Sequence, residues 1–202
     1  MRFYHDLATN ESWETLKAWR KQYGFMLIGG WAVWLYTKGL KSKDIDVVMD
    51  YEALAQVKEK VEVVKNERLK KYEARQGPVD IDIYVPFYSH PGLPAEELGQ
   101  FRVTLGGFGT VRPEVLAMLK QAAWLARQGT VKGRKDMIDW LSLVTTEAFD
   151  GEEYQRLMMR YKLQSVGKRV GELVREVTFV PELGWSEHVV AKVKKRILPL
   201  LL

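Results

Sequence analysis

Between Val79 and Val85 the chain reads Val-Asp-Ile-Asp-Ile-Tyr-Val, a strict alternation of apolar and polar side chains. Period-two alternation fits a β-strand, whose successive side chains point to opposite faces, and does not fit a helix. Val79, Ile81, Ile83 and Val85 therefore share one face, and Asp80, Asp82 and Tyr84 the other. A second run, Asp44-Ile45-Asp46-Val47-Val48-Met49, obeys the same rule: Asp44 and Asp46 project together, opposite the apolar face of Ile45, Val47 and Met49. Asp is disfavoured in strands, and here two strands break that preference in the same way. Neighbouring carboxylates on one face repel each other and need a cation, hydrogen-bond donors or water. An isolated Asp-x-Asp is ordinarily a solvated surface. Two such strands, once paired, are expected to bring three or four carboxylates to one patch. An oxygen-only cluster suits Mg²⁺ or Mn²⁺ rather than zinc, and a pair of such ions roughly 3.5–4 Å apart serves phosphoryl transfer.

The segment upstream fits that chemistry. Phe25 to Ile28 reads as a short buried strand, broken by Gly29-Gly30, and Trp31 to Lys38 is apolar nearly all round, as in a buried helix closed by Gly39. Backbone N–H groups without a neighbouring Cβ can approach a phosphate closely at such a turn, where the helix N-terminus adds a favourable dipole. A Gly-Gly pair can equally do no more than permit a tight turn. Ser42, two residues before Asp44, can bond a phosphate oxygen or cap a turn; the sequence does not choose.

Around these runs, a first helix is predicted over Glu11–Gln22 with Thr9 or Asn10 as N-cap, and another over Tyr51–Val61. Leu69–Arg75, Gln76-Gly77-Pro78 and Val79–Val85 read as a hairpin, and Phe101–Val111 as further strand turning at Gly106-Gly107. From Pro113 the pattern is helical, with Gly129, Gly133 and Gly151 as helix boundaries. The expected organisation is an α+β part, residues 1–112, followed by a helical part, residues 113–202. Lys120 interrupts an apolar stripe formed by Leu116, Leu119 and Ala123; its stem can lie buried with the ammonium reaching solvent, or it can direct a point charge at a phosphate. Asp136 and Asp139, three apart on one helix face, are expected in salt bridges to Arg127, Arg134 or Lys135. The apolar end, Ile197 to Leu202, is expected to pack on the body or on a second subunit.

An apolar strand, Gly29-Gly30, a short helix, then Asp44-Ile45-Asp46 on the next strand resembles the nucleotidyltransferase superfamily typified by DNA polymerase beta. The resemblance covers roughly residues 25–85. It implies a small mixed β-sheet core with flanking helices, followed here by a helical bundle lobe. It further implies that Gly29 and Gly30 contact the triphosphate of an NTP such as ATP, where Ser42 is the further candidate named above, and that Asp44 and Asp46, with a third aspartate from a later strand, hold two divalent ions, Mg²⁺ or Mn²⁺. That third carboxylate is Asp82 or Asp80, with Asp82 favoured. Lys120, Arg127 and Lys135-Asp136-Met137-Ile138-Asp139 look like the helical signature of AbiEii-like nucleotidyltransferases, a group that includes toxins of toxin–antitoxin pairs. There the helical lysine, matched by Lys120, approaches the nucleotide phosphates. Trp140 stands where Leu is usual, and Leu40 where relatives often carry a basic residue.

The implied activity is transfer of a nucleoside monophosphate from an NTP to an acceptor, tRNA or a protein hydroxyl among the candidates, with release of pyrophosphate. The alternative is a nucleotide-binding or toxin–antitoxin interaction protein of the same fold without turnover, and either can engage an antitoxin or a second copy of itself. A formal net charge of +5 tilts the chain toward anionic partners such as nucleotides or RNA. The absence of Cys excludes disulfides, thiolate metal sites and a cysteine nucleophile. No apolar stretch approaches the ~20 residues of a membrane span, and the start, MRFYHDLATNESWE, lacks the layout of a signal peptide, so a cytoplasmic protein without membrane attachment is expected.

Overall fold

The computed structural model describes residues 6–201, and expectations for the first five residues and for Leu202 lie outside them. Two compact units divide at Arg112 and Pro113.

The first unit is built on a seven-stranded sheet. Its strands are β1 (Met26–Ile28), β2 (Ile45–Val48), β3 (Val63–Asn66), β4 (Lys71–Gln76), β5 (Val79–Tyr84), β6 (Arg102–Leu105) and β7 (Phe108–Val111). They lie in the order β3-β4-β5-β2-β1-β7-β6. β2 runs parallel to β5 and β1 parallel to β7, whereas the other pairs are antiparallel, so the sheet is mixed, as the sequence led us to expect. The alternation in β2 and β5 appears directly in burial: Ile45, Val47, Ile81 and Ile83 are fully buried, whereas Asp46 and Asp82 are half-buried and Asp80 is exposed.

Helices α1 (Asp6–Gln22), α2 (Gly29–Thr37) and α3 (Tyr51–Lys58) complete this unit. An aromatic cluster joins α1 to α2 and to β7: the Trp13 ring lies 4.9 Å from Trp31, 5.2 Å from Trp34 and 5.6 Å from Phe108. Inside it the Trp31 indole N–H donates to Ser12 Oγ at 2.8 Å. Farther along α1, the Trp19 indole N–H donates to Gln76 Oε1 at the β4–β5 turn. The helix carrying Gly29 is thereby fixed on the sheet by buried aromatic area and one buried hydrogen bond.

Several boundaries differ from the sequence expectation. α1 begins at Asp6 rather than beyond Asn10, because the Thr9 hydroxyl donates to the Asp6 carbonyl within the helix instead of capping it. α2 closes on Lys38, not Gly39: Lys38 adopts the left-handed conformation (φ 51°) with its ammonium 4.3 Å from the Trp34 ring centre. α3 ends at Lys58, short of Val61. β3 was not expected at all. It is an edge strand without clear alternation, and its Val64 is 56% exposed.

The second unit contains α4 (Pro113–Ala126), α5 (Val131–Val144), α6 (Gly151–Arg160), α7 (Gln164–Glu176) and α8 (Glu187–Ile197), with a 3₁₀ turn over Leu198–Leu201. Thr130 and Asp150 cap α5 and α6 by accepting from backbone N–H groups. Gly133 lies inside α5 rather than at its boundary: a Cβ there would sit 2.0 Å from the Arg127 carbonyl oxygen, so its small size permits close approach to the preceding loop. The apolar end packs within this unit, where Leu201 lies against Gly167 and Gly171 of α7 and Leu200 against Gly151 of α6.

Removing the Ser12 hydroxyl strands the buried Trp31 N–H. Ser12→Ala is expected to lower unfolding free energy by about 1–3 kcal/mol in urea titration followed by circular dichroism, without changing the slope.

Candidate active site

Backbone register assembles the acidic end of the sheet. β2 and β5 pair in parallel with Asp46 opposite Asp82 and Val48 opposite Tyr84, so both carboxylates occupy the same position along adjacent strands. On the other side of β2, Asp46 lies opposite Ile28, the last residue of β1. The next residue, Gly29, has φ +67°, and a Cβ built on it would lie 2.0 Å from Asp46 Oδ2. The Asp46 carboxylate thus fills the space that a side chain at Gly29 would need. Only glycine combines that backbone conformation with that contact at no steric cost. Gly30, buried in the first turn of α2, follows directly.

The remaining predicted residues are distributed differently. Asp44 precedes β2 in a bend, one quarter exposed, with its Oδ1 4.0 Å from Lys43 Nζ. The strand pleat therefore does not dictate its direction as it does for Asp46. Ser42 is buried nearby in sequence. Asp80 pairs across the hairpin with Arg75, at 3.7 Å between two exposed side chains. Among the described residues, no group of three or more carboxylate or imidazole side chains is gathered to hold a metal ion. The expected patch of three or four carboxylates is here an adjacent pair, Asp46 and Asp82. Its chemistry fits a hard divalent cation: two like charges side by side, oxygen donors only, beside a turn whose glycine leaves room for a carboxylate.

Two residues that sequence reasoning did not single out complete this end. Lys71, at the start of β4, donates from Nζ to Asp82 Oδ2 at 2.6 Å and lies 3.0 Å from Glu73 Oε1. Glu73 stands opposite Asp82 in the β4–β5 ladder and also accepts from Asn66 Nδ2 at 3.0 Å. The signal was present in the hairpin: with Gln76 opposite Val79 across a two-residue turn, counting back places Glu73 opposite Asp82. Burial, and then the Asp46 charge, push the Asp82 carboxyl up to about 6 against the opposing pull of Lys71. Burial works against the Lys71 ammonium, but its bonds and charge pairing with Asp82 and Glu73 outweigh this and raise its pKa above the ordinary value. The bond from Lys71 holds Glu73 below the usual carboxylate range.

In the helical unit, Lys120 is buried, with Nζ 3.2 Å from Asp136 Oδ1 and 2.7 Å from Asp139 Oδ2. Arg127 adds a 2.5 Å contact to Asp136 and Lys135 a 2.8 Å contact to Asp139. Burial penalises the Asp139 carboxylate, but the charges of Lys120 and Lys135 outweigh it and keep its pKa below the ordinary value. The expected pairings with Arg127 and Lys135 are both present. Arg134 pairs instead with Glu182.

No family description and no curated protein sequence matches the chain. Solved structures do. JHP933 from Helicobacter pylori superposes with a TM-score of 0.59 at 14% identity, over 98% of this chain and 93% of its own. A nucleotidyltransferase candidate from H. pylori superposes with a TM-score of 0.56 at 15% identity, over 98% and 96%. The chain therefore has a nucleotidyltransferase-like fold. No helix among the described residues is long and apolar enough to cross a membrane.

The Asp82 shift fixes a pH dependence. Its carboxyl binds a proton more tightly folded than unfolded, so its contribution to stability is greatest at low pH and is lost as pH rises from 3.8 to about 6. Relative to Asp82→Asn, the wild-type protein is expected to lose about 3 kcal/mol over that window, measured by denaturant titration across pH. The Asp82 carboxyl carbon should titrate near 6 by NMR.

Proposed function

We propose that this chain is a metal-dependent nucleotidyltransferase that moves a nucleoside monophosphate from an NTP to an acceptor hydroxyl or phosphate and releases pyrophosphate. The observation that carries this reading is the register pairing of Asp46 with Asp82 against Gly29, on a fold shared with a nucleotidyltransferase candidate. Asp46 and Asp82, joined by Asp44, are the residues that would hold Mg²⁺ or Mn²⁺. Bound there, divalent cations would supply charge neutralisation at the phosphates and lower the pKa of the attacking hydroxyl.

The chain's own groups have separate tasks. Gly29 and Gly30 open α2 and offer backbone N–H groups to the triphosphate, with Ser42 as a further hydroxyl donor. Asp82 would also be the group that takes the acceptor's proton. Asp80, exposed and paired with Arg75, is the weaker choice for the third carboxylate. Lys120 is the helical unit's candidate for neutralising the triphosphate. Lys120 shares Asp136 with Arg127 and Asp139 with Lys135 in one buried charge cluster. Positioning and electrostatics carry most of such a reaction. The net charge of +5 favours RNA, tRNA included, over a protein hydroxyl as acceptor. The helical residues resembling AbiEii-like proteins extend the reading to a toxin with an antitoxin partner.

A second reading, a nucleotide-binding protein without turnover, has one observation in its favour: Lys71 already occupies Asp82. Incubation with each α-labelled NTP, Mg²⁺ and bulk tRNA separates the two. Transfer of label with pyrophosphate release, reduced by at least about 100-fold in Asp46→Asn, is the expected result. NTP binding by calorimetry with no pyrophosphate from any acceptor supports the second reading, and full transfer by Asp46→Asn rules out the site.

A further inference from the structure

The proposed reaction leaves two charged groups at the acidic end, Lys71 and Glu73, without a task. Lys71 is buried along its stem, its side chain only 11% exposed, and its ammonium touches two carboxylates at once, Asp82 at 2.6 Å and Glu73 at 3.0 Å. Residues 71 and 73 lie on one face of β4, and Glu73 faces Asp82 across the ladder, so the three groups form a row with Lys71 between two acceptors. Glu73 does not depend on Lys71 for its position, because Asn66 Nδ2 donates to the same Oε1. The ammonium therefore has two anionic seats within reach of a small side-chain rotation. One of them belongs to the pair that would bind a cation.

We propose that Lys71 is a built-in counter-cation, seated on Asp82 when no divalent ion is bound and shifted to Glu73 when a divalent ion takes Asp82. It is a positioning residue that sets metal affinity, and it rests on the metal-site reading of Asp46 and Asp82. Two half-buried carboxylates in register repel each other, and Lys71 supplies the opposing charge that lets them stay adjacent. The same charge must leave Asp82 before a divalent ion can use that oxygen. Glu73 lowers the cost of leaving, since the ammonium moves from one carboxylate to another and never loses all its partners.

The test is Mn²⁺ binding to the full chain without nucleotide, read from the free-Mn²⁺ EPR signal and by calorimetry, with Asp46→Asn as the control that defines site binding. Lys71→Met is expected to tighten Mn²⁺ binding on the order of tenfold, and Lys71→Gln, which keeps a polar group in place, to tighten it in the same direction. Glu73→Gln is expected to weaken it severalfold, and Lys71→Met/Glu73→Gln to match Lys71→Met, because Glu73 acts through the ammonium. Folding of each variant is checked by circular dichroism, and Lys71→Gln serves if Lys71→Met is unfolded. Asp46-dependent binding that is unchanged or weaker in the folded Lys71 variants, or a Glu73→Gln effect that persists in the double variant, overturns the role of Lys71 and leaves the metal site standing. If neither wild type nor a Lys71 variant shows binding that Asp46→Asn removes, the metal-site reading fails, and this inference with it.

Discussion

The parallel pairing of β2 with β5 is the constraint from which the rest of the acidic end follows. Slipping either strand by one residue would turn its aspartates into the core and its isoleucines into solvent, so burial of Ile45, Val47, Ile81 and Ile83 holds Asp46 and Asp82 on one face, where the register of the pair sets them side by side. Hydrophobic burial thereby sets a like-charge contact that would not form on its own. The protein meets the cost locally: Lys71 bonds Asp82, Glu73 anchors Lys71 from the other side, and Asp82 retains a raised pKa because burial and Asp46 outweigh that help. Gly29 belongs to the same arrangement, since any larger residue would occupy the volume of the Asp46 carboxylate.

Much of this end was legible in the sequence because a strand displays its faces residue by residue. The alternation through Val79–Val85 gave the strand, its buried face and its acidic face, and Gly77-Pro78 marked the turn that β4 and β5 share. Hidden from sequence was which strand β5 would adjoin on its far side. Adjacency of β2 and β5 is a long-range pairing, and the choice between Asp80 and Asp82 turned on it: only the register puts Asp82 next to Asp46 and leaves Asp80 with Arg75. Asp44 illustrates a second limit. Strand ends are set by where hydrogen bonding begins, and the ladder starts one residue later, at Ile45.

The helical unit was legible in a different way. Nearby charges of opposite sign announced salt bridges: Lys135–Asp139 forms at helical spacing, and Arg127, in the loop before α5, reaches Asp136. The centre of that cluster was not legible, because Lys120 lies on α4 and its two aspartates on α5, and no spacing along one helix reports a contact between two. Both units thus bury a lysine against a pair of carboxylates. In the helical unit Arg127 and Lys135 add to Lys120 at the two aspartates, though Asp139 Oδ1 stays buried without a hydrogen-bond partner. At the sheet, one ammonium is shared between two carboxylates of the ladder, with Asp46 beside them, and the balance there is finer.

The account stands on Asp46 and Asp82 acting together as ligands to a hard cation. Anomalous diffraction from crystals soaked in Mn²⁺ tests this most directly. The predicted result is a manganese peak about 2.0–2.3 Å from oxygens of both carboxylates, with Lys71 turned toward Glu73. A well-occupied peak elsewhere, or saturating Mn²⁺ with both carboxylates and Lys71 unmoved, would contradict it.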